Sequence, residues 1–143
     1  MKTLYPLLFA LTVLTGCSTN SPSSVMEKDL MHHRFILTSA DGVAIKDTSK
    51  QQRPLDIEFG ENMHISGAMC NSFMGKGTLK GGVLSAPQLA STRMACLNEQ
   101  LNKLDKTVAD MFNEGVQVNL DGEMLTLSTS SHTLTYRRMD WVR

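Results

Sequence analysis

Short runs in which hydrophobic and polar residues alternate recur along this chain, and they predict a protein built mostly from β-strands. Residues 55–59 show the pattern most clearly, because three hydrophobic residues are separated by two acidic ones. After the next turn, Met63 and Ile65 are predicted to face inward and His64 outward. Further strands bounded by turn residues are predicted at residues 34–39, 43–45, 73–79, 83–84, 116–118, 124–127 and 134–136.

One long amphipathic helix is predicted at residues 97–114, where hydrophobic residues recur at helical spacing and the opposite face is polar. Asn98 is a suitable N-cap, and Gly115 is a typical C-terminal stop. A shorter helical turn is predicted within residues 25–30. The hydrophobic face of the long helix comprises Leu97, Leu101, Leu104, Val108, Met111 and Phe112.

The order of these elements predicts an α+β fold. Gly75 and Gly77 interrupt a strand, which indicates a bulge or a barrel corner where the sheet bends. We therefore expect a small, bent, mostly antiparallel β-sheet with one amphipathic helix packed across it. A small or cracked β-barrel is the expected closure.

The N-terminus predicts export and lipidation. Residues 1–16 have a basic start and an apolar run that is shorter than a membrane span, and they end in Leu-Thr-Gly before Cys17. This is the pattern of a bacterial lipobox, in which Cys17 is acylated; a transmembrane anchor or a soluble secreted protein are the alternatives. Residues 17–24 are then a lipidated tether, and residues 25–143 form the domain. Ser18 favours the outer membrane, with the domain facing the periplasm, by similarity to Gram-negative lipoproteins.

The net charge of the mature chain restricts its possible partners. Without Lys2, the mature chain keeps 13 basic residues against 14 acidic ones, so it is close to neutral. A nucleic-acid partner, which would require a basic surface, is not expected.

Two cysteines remain once Cys17 is assigned to the lipid. In an oxidising periplasm, Cys70 and Cys96 are most simply a structural disulfide. A redox pair or a thiolate metal site are the alternatives. Neither has support from the spacing, because no Cys-x-x-Cys motif is present and His64 is the only histidine near either cysteine.

No known catalytic motif is present, so no catalytic residue, metal or cofactor is predicted. Met63, His64, Met69 and Met74 offer soft ligands that suit Cu(I), but methionines at such positions are more often core residues. The adjacent histidines at residues 32–33 are left without a role.

Two stretches carry a resemblance to a known family. Residues 65–73 read Ile-Ser-Gly-Ala-Met-Cys-Asn-Ser-Phe, and residues 89–96 read Leu-Ala-Ser-Thr-Arg-Met-Ala-Cys. Followed by an amphipathic helix and a Leu-Thr-Leu strand, they resemble the META/HslJ-like domain family over essentially the whole mature chain. The resemblance implies a cracked, lipocalin-like β-barrel crossed by a helix. It also implies an envelope protein linked to heat shock and antibiotic tolerance, without known enzymatic activity.

The family stretches also predict a structural motif around the disulfide. Asn71 is expected to support an unusual turn, and Thr92 and Arg93 are expected to hydrogen-bond the opposing loop.

Two functions are consistent with these features. The first is a non-enzymatic interaction or pilot-type module, monomeric and held to the membrane by its lipid, that binds another envelope protein. The second is a carrier that holds a small hydrophobic ligand or lipid inside the barrel.

Overall fold

The structure is a computed structural model that describes residues 24–46 and 53–141. The predicted signal peptide, the lipidation site Cys17 and most of the tether lie outside the described residues and remain predictions. None of the helices in the described ranges is long and apolar enough to cross a membrane.

The described residues form two α-helices, one short 3-10 turn at Glu61–Met63 and eleven strands in a single sheet. The helices are α1 (Glu27–Leu30) and α2 (Glu99–Glu114). The strands are β1 (His33–Ala40), β2 (Val43–Ala44), β3 (Asp56–Phe59), β4 (His64–Ala68), β5 (Ser72–Lys76), β6 (Thr78–Lys80), β7 (Val83–Ser85), β8 (Ala90–Ser91), β9 (Val116–Asp121), β10 (Met124–Ser128) and β11 (Thr133–Arg138).

The sheet is antiparallel at every described pairing and curls into a half-barrel with α2 packed against it, which confirms the predicted fold class. Its strand order is β6-β7-β9-β10-β11-β1-β3-β4-β5-β8, with β2 added beside β1. β6 is at one end of this order and β5 is next to the other end, yet the two strands are consecutive in the chain. Only Gly77 separates them, so the chain itself links the two ends of the curled sheet.

Gly77 is the corner residue because it has no side chain. A Cβ at this position would lie 2.7 Å from Ile65 Cδ1 and 3.1 Å from Leu84 Cδ1, closer than packed atoms ordinarily approach. Any larger residue at this corner would have to displace the ends of the Ile65 and Leu84 side chains, so glycine is favoured there, which agrees with the predicted bend.

The half-barrel interior is filled with side chains. The inward positions of the strands alternate as predicted, and the largest residues there, Phe35, Phe59 and Tyr136, are fully buried. Phe35 and Phe59 meet edge to face, with ring centroids 6.0 Å apart. From α2, the core receives Leu101, Leu104, Val108, Met111 and Phe112.

The start of the long helix differs from the prediction. The Asn98 side chain accepts a hydrogen bond from the Gln100 N–H, so α2 begins at Glu99 and Leu97 lies before the helix. Leu97 is fully exposed and does not join the hydrophobic face. The helical spacing predicted that Leu97 lies in the core. The Asn98 cap, however, starts the helix two residues later than the hydrophobic pattern starts.

The antiparallel pairing of the strands groups their starts and ends at the two opposite ends of the half-barrel. We call one the α1 end; it contains α1, the starts of β1 and β4, the β9–β10 turn and the chain that follows β11. We call the other the disulfide end; it contains the β4–β5 turn, the segment before α2 and the start of β11. β1 spans eight residues between them, or about 26 Å.

Candidate functional site: the braced loop

The predicted disulfide is present in the structure. Cys70, in the turn between β4 and β5, is bonded to Cys96, and their Cα atoms lie 5.9 Å apart. The bond joins that turn to residues 92–97, which we call the braced loop.

Asn71 holds the braced loop with its side-chain amide. Its Oδ1 accepts a hydrogen bond from the Met94 N–H at 2.7 Å, and its Nδ2 donates to the Met94 carbonyl at 3.0 Å. Both backbone groups of Met94 are therefore satisfied by one side chain, as they would be by a neighbouring strand. Asn71 is only 8 % exposed, which shields these bonds from water.

Thr92 and Asp105 complete the contacts of Asn71. The Thr92 hydroxyl donates to Asn71 Oδ1 at 2.9 Å and accepts from the Ser72 N–H at 3.1 Å. Asp105, on α2, accepts from the Asn71 backbone N–H at 2.9 Å and from Asn71 Nδ2 at 2.7 Å. Asn71 thus ties the β4–β5 turn to both the loop and the helix.

Asn102 makes a second clamp that sequence reasoning did not find. Its Oδ1 accepts from the Cys96 N–H at 3.1 Å, and its Nδ2 donates to the Cys96 carbonyl at 2.8 Å. The sequence showed Asn102 only as a polar residue on the outer face of the helix. Its distance of six positions from Cys96 has no periodic signal, so only the path of the loop reveals the contact.

The side chains that the braced loop presents are apolar or basic. Met94 is 65 % exposed and Leu97 is fully exposed, and Arg93 lies between Thr92 and Met94 on the same exposed stretch. Among the described residues Arg93 makes no hydrogen bond, so the structure does not give it the bridging contact that we expected. It leaves Arg93 at the surface beside Met94.

A second polar cluster lies on the outer face of β1 and β3. The Arg34 guanidinium donates to Asp56 Oδ2 from both Nε and Nη2 at 2.8 Å, and both side chains are buried. The Trp141 ring covers the guanidinium at 4.0 Å, and its indole N–H donates to Glu58. A cavity of about 350 Å³ opens beside this cluster. Because Arg34 neutralises Asp56, the carboxylate is held as an ion-pair partner.

Burial governs the titration of the groups near this cluster. Burial raises the pKa of the Tyr136 hydroxyl far above its ordinary value, and the Asp56 carboxylate raises it further. Partial burial also raises the pKa of Asp140, but hydrogen bonds from the Arg34 N–H and from His33 outweigh it and hold that pKa below its ordinary value. Asp140 therefore fixes the C-terminal segment to the start of β1 in its ionised form.

The possible copper ligands are not brought together. Met63 and Met69 are buried in the core, whereas His64 and Met74 are exposed. Within the described ranges, no three histidine, cysteine or acidic side chains are grouped as a metal site would require.

The adjacent histidines contact carboxylates separately. His32 Nε2 lies 3.6 Å from a Glu61 oxygen, and His33 Nδ1 lies 3.0 Å from an Asp140 oxygen. His33 thus helps to hold the C-terminal segment.

The fold and the braced loop define a small half-barrel protein whose disulfide end is stiffened by side-chain clamps. The META domain matches residues 28–141 of this chain. The chain therefore belongs to the META domain family, and the resemblance predicted from the sequence is confirmed. It is 47 % identical over 128 residues to heat shock protein HslJ of Escherichia coli K12, covering 90 % of this chain and 89 % of that one.

Solved structures of similar proteins have the same fold. One NMR structure is 49 % identical in sequence, with a TM-score of 0.72 over 79 % of this chain and 94 % of the other. An NMR structure of a Burkholderia xenovorans protein is 22 % identical, with a TM-score of 0.63 over 96 % of this chain and 98 % of the other. The second likeness bears on the fold alone.

Proposed function

We propose that this META protein is a non-enzymatic, lipid-anchored envelope protein of the heat-shock response, whose braced loop binds another envelope protein. The membership of the META family and the similarity to HslJ, which is named a heat shock protein, support the link to stress. The lipobox at Cys17 supports an outer-membrane anchor with the domain in the periplasm, and the family resemblance supports a contribution to antibiotic tolerance.

The observation that carries the proposal is the combination of rigid backbone and exposed side chains in the braced loop. The backbone of Met94 is held by Asn71 and that of Cys96 by Asn102, while the Met94 and Leu97 side chains are left in water. A loop ordered before binding loses little further conformational entropy when a partner covers it. Exposed Met94 lies beside Arg93, and methionine and arginine are among the residue types enriched at protein interfaces.

The filled interior speaks against the alternative of a carrier. A small-molecule site usually occupies roughly 300–1,000 Å³ and is largely apolar. Between β5 and α2, the apolar cavity near Phe73 and Val108 measures only about 40 Å³. A lipid could enter only if large, fully buried side chains moved.

Site-specific photocrosslinking in living cells tests the interaction. A photoreactive amino acid replaces Leu97 in one variant and Met94 in a second. A third variant carries it at Lys103, an exposed position on the polar face of α2, as the matched control. We expect the same envelope protein, identified by mass spectrometry, to be crosslinked from Leu97 and Met94 but not from Lys103. The crosslinks should be lost in a Cys17→Ala background, which removes the lipid.

Equal crosslinking from Lys103, or none from either loop position in heat-stressed cells, would contradict the proposal.

Native mass spectrometry of the lipoprotein, purified from its own membranes in mild detergent, tests the carrier. A defined mass beyond the acyl groups of Cys17 would favour the carrier over the interaction module.

A further inference from the structure

Exposed hydrophobic side chains occur at the α1 end as well as at the braced loop. Four such residues lie there, and we call them the α1-end rim. They are Met26 (52 % exposed), Met124 (39 %), Met139 (45 %) and Trp141 (65 %).

The strand register places these four residues at one end. Met124 is the first residue of β10 and pairs with Arg137, near the end of β11. Met139 follows β11, and its backbone N–H donates to the carbonyl of Arg34, near the start of β1. Trp141 lies on the outer face of β1 and β3, beside this end, where its ring covers the Arg34 side chain. Met26 precedes α1, which leads directly into β1. The rim therefore surrounds the end at which the chain enters the domain.

The chain that enters here is the predicted tether. Only six residues separate Cys17 from Ser24, the first described residue. Even fully extended, this connection spans about 25 Å, so an acylated Cys17 keeps the α1 end close to the lipid headgroups. The opposite, disulfide end is a further barrel length away.

Charge at the α1 end is mixed. Lys28 and Arg137 are exposed there, but so are Glu27, Asp121 and Glu123. Attraction to anionic lipid is therefore weak on balance, and contact with a bilayer would depend on the apolar side chains. Tryptophan is enriched at the headgroup region of membranes, and exposed apolar side chains with nearby basic residues bind there.

We propose that the α1-end rim docks on the phospholipid surface, so that the domain stands with its braced loop turned away from the membrane and toward the periplasm. The proposal rests on lipidation of Cys17, which is part of the proposed function. It adds a second membrane contact, made by the folded domain, and an orientation that presents Met94 and Leu97 to a partner. With β1 as the measure, the braced loop would stand about 26 Å above the rim.

Trp141 makes the proposal measurable because it is the only tryptophan in the chain. The lipidated protein is reconstituted into phosphatidylethanolamine–phosphatidylglycerol vesicles whose acyl chains carry bromine, which quenches nearby tryptophan. We expect the bromolipid to reduce Trp141 emission by about half, and high salt to leave that effect in place because the contact is apolar. The matched control combines Trp141→Phe with Leu97→Trp, which moves the tryptophan to the braced loop, and its emission should be unchanged.

Equal quenching at both positions, or quenching at residue 97 alone, would overturn the proposed orientation. An unquenched Trp141 in vesicle-bound protein would overturn the docking. The mass of the purified chain reports separately whether Cys17 is acylated. If it is not, the mature chain is coupled through its Cys17 thiol to a maleimide-bearing lipid and the same quenching is measured. A failed anchor and a failed docking surface are thereby told apart.

Discussion

Asn71 is the residue on which the disulfide end depends most. Its one side chain bonds Met94, Thr92 and Asp105, which belong to a loop and a helix far from it in sequence. The disulfide next to it joins the middle of the β4–β5 turn, at Cys70, to the braced loop at Cys96. The Asn71 amide holds the backbone of the braced loop at Met94, two residues before Cys96.

We expect Asn71→Ala to lower the free energy of unfolding by about 2–3 kcal/mol, because it removes the hydrogen bonds of a buried side chain to the partly buried backbone groups of Met94 and to Asp105. Urea denaturation measures the loss, and hydrogen exchange at the Met94 amide should become faster. Asn113→Ala, on the exposed face of α2, is the control and should change the stability by less than about 0.5 kcal/mol. A loss of similar size in both variants would show that the clamp contributes nothing of its own.

Asp140 gives a residue-scale prediction of pH dependence. Its pKa is lowered in the folded protein, so its ionised form stabilises the fold above roughly pH 4, the unfolded value, and this contribution disappears as the pH falls through the folded pKa. Its carboxylate faces the His33 ring, the Arg34 N–H and the Arg138 guanidinium. We expect Asp140→Asn to cost less than about 1 kcal/mol at pH 7, since the side chain is partly exposed.

Urea denaturation at pH 7, 5 and 3 checks this prediction. The difference in unfolding free energy between the Asp140→Asn variant and the unmodified protein should be smaller at pH 3 than at pH 7. A difference in unfolding free energy that is the same at all three pH values would mean that the carboxylate acts through packing alone.

At the scale of the elements, the corner between β5 and β6 is the critical feature. One predicted strand run supplies β6, at one end of the sheet order, and β5, next to the other end, because the chain bends at Gly77. The alternation of hydrophobic and polar residues accounts for β5 and β6 as strands. The absence of a side chain at Gly77 accounts for the bend between them.

We expect Gly77→Ala to cost about 1–3 kcal/mol, because the added methyl group must displace Ile65 and Leu84 in the core. Thermal unfolding followed by circular dichroism measures the change. Gly60→Ala is the matched control, since a Cβ there meets its nearest neighbours at 3.7 Å, an ordinary contact. If both variants melt at the same temperature, the close approach at the corner does not constrain the fold.

At the scale of the whole molecule, the two ends of the half-barrel have different tasks in our proposals. The α1 end carries the tether and the rim, and the disulfide end carries the braced loop. One core, shared by the sheet and α2, holds these ends at a fixed distance.

We expect the disulfide to stabilise the whole domain without being required for its core. It spans 26 positions of the chain, and neither cysteine is at the centre of the core. We expect a Cys70→Ser/Cys96→Ser variant to lose roughly 3 kcal/mol of unfolding free energy and yet remain folded at 25 °C. Calorimetry measures the loss, and the near-ultraviolet circular dichroism spectrum reports the retained core. Rapid alkylation of both cysteines in the native, unreduced protein would contradict the disulfide itself.

The sequence alone determined the local features of this protein and its family. Alternation along 55–59 identified a strand, and helical spacing identified α2, because burial on one side leaves a period in the residues. The motif around Cys70 and Cys96 identified the META family and the two loops that meet. Asn71 and Thr92 could be named in advance because they stand beside those cysteines in the family stretches.

Only the tertiary structure decided which distant side chains meet and which face they leave exposed. The bonds between Asn102 and Cys96, the stacking of Trp141 on Arg34 and the exposure of Leu97 depend on how loops cross the sheet. The grouping of the α1-end rim likewise follows from antiparallel register. A repeating pattern records burial along one element, whereas these contacts arise from the approach of separate elements, which leaves no period in the sequence.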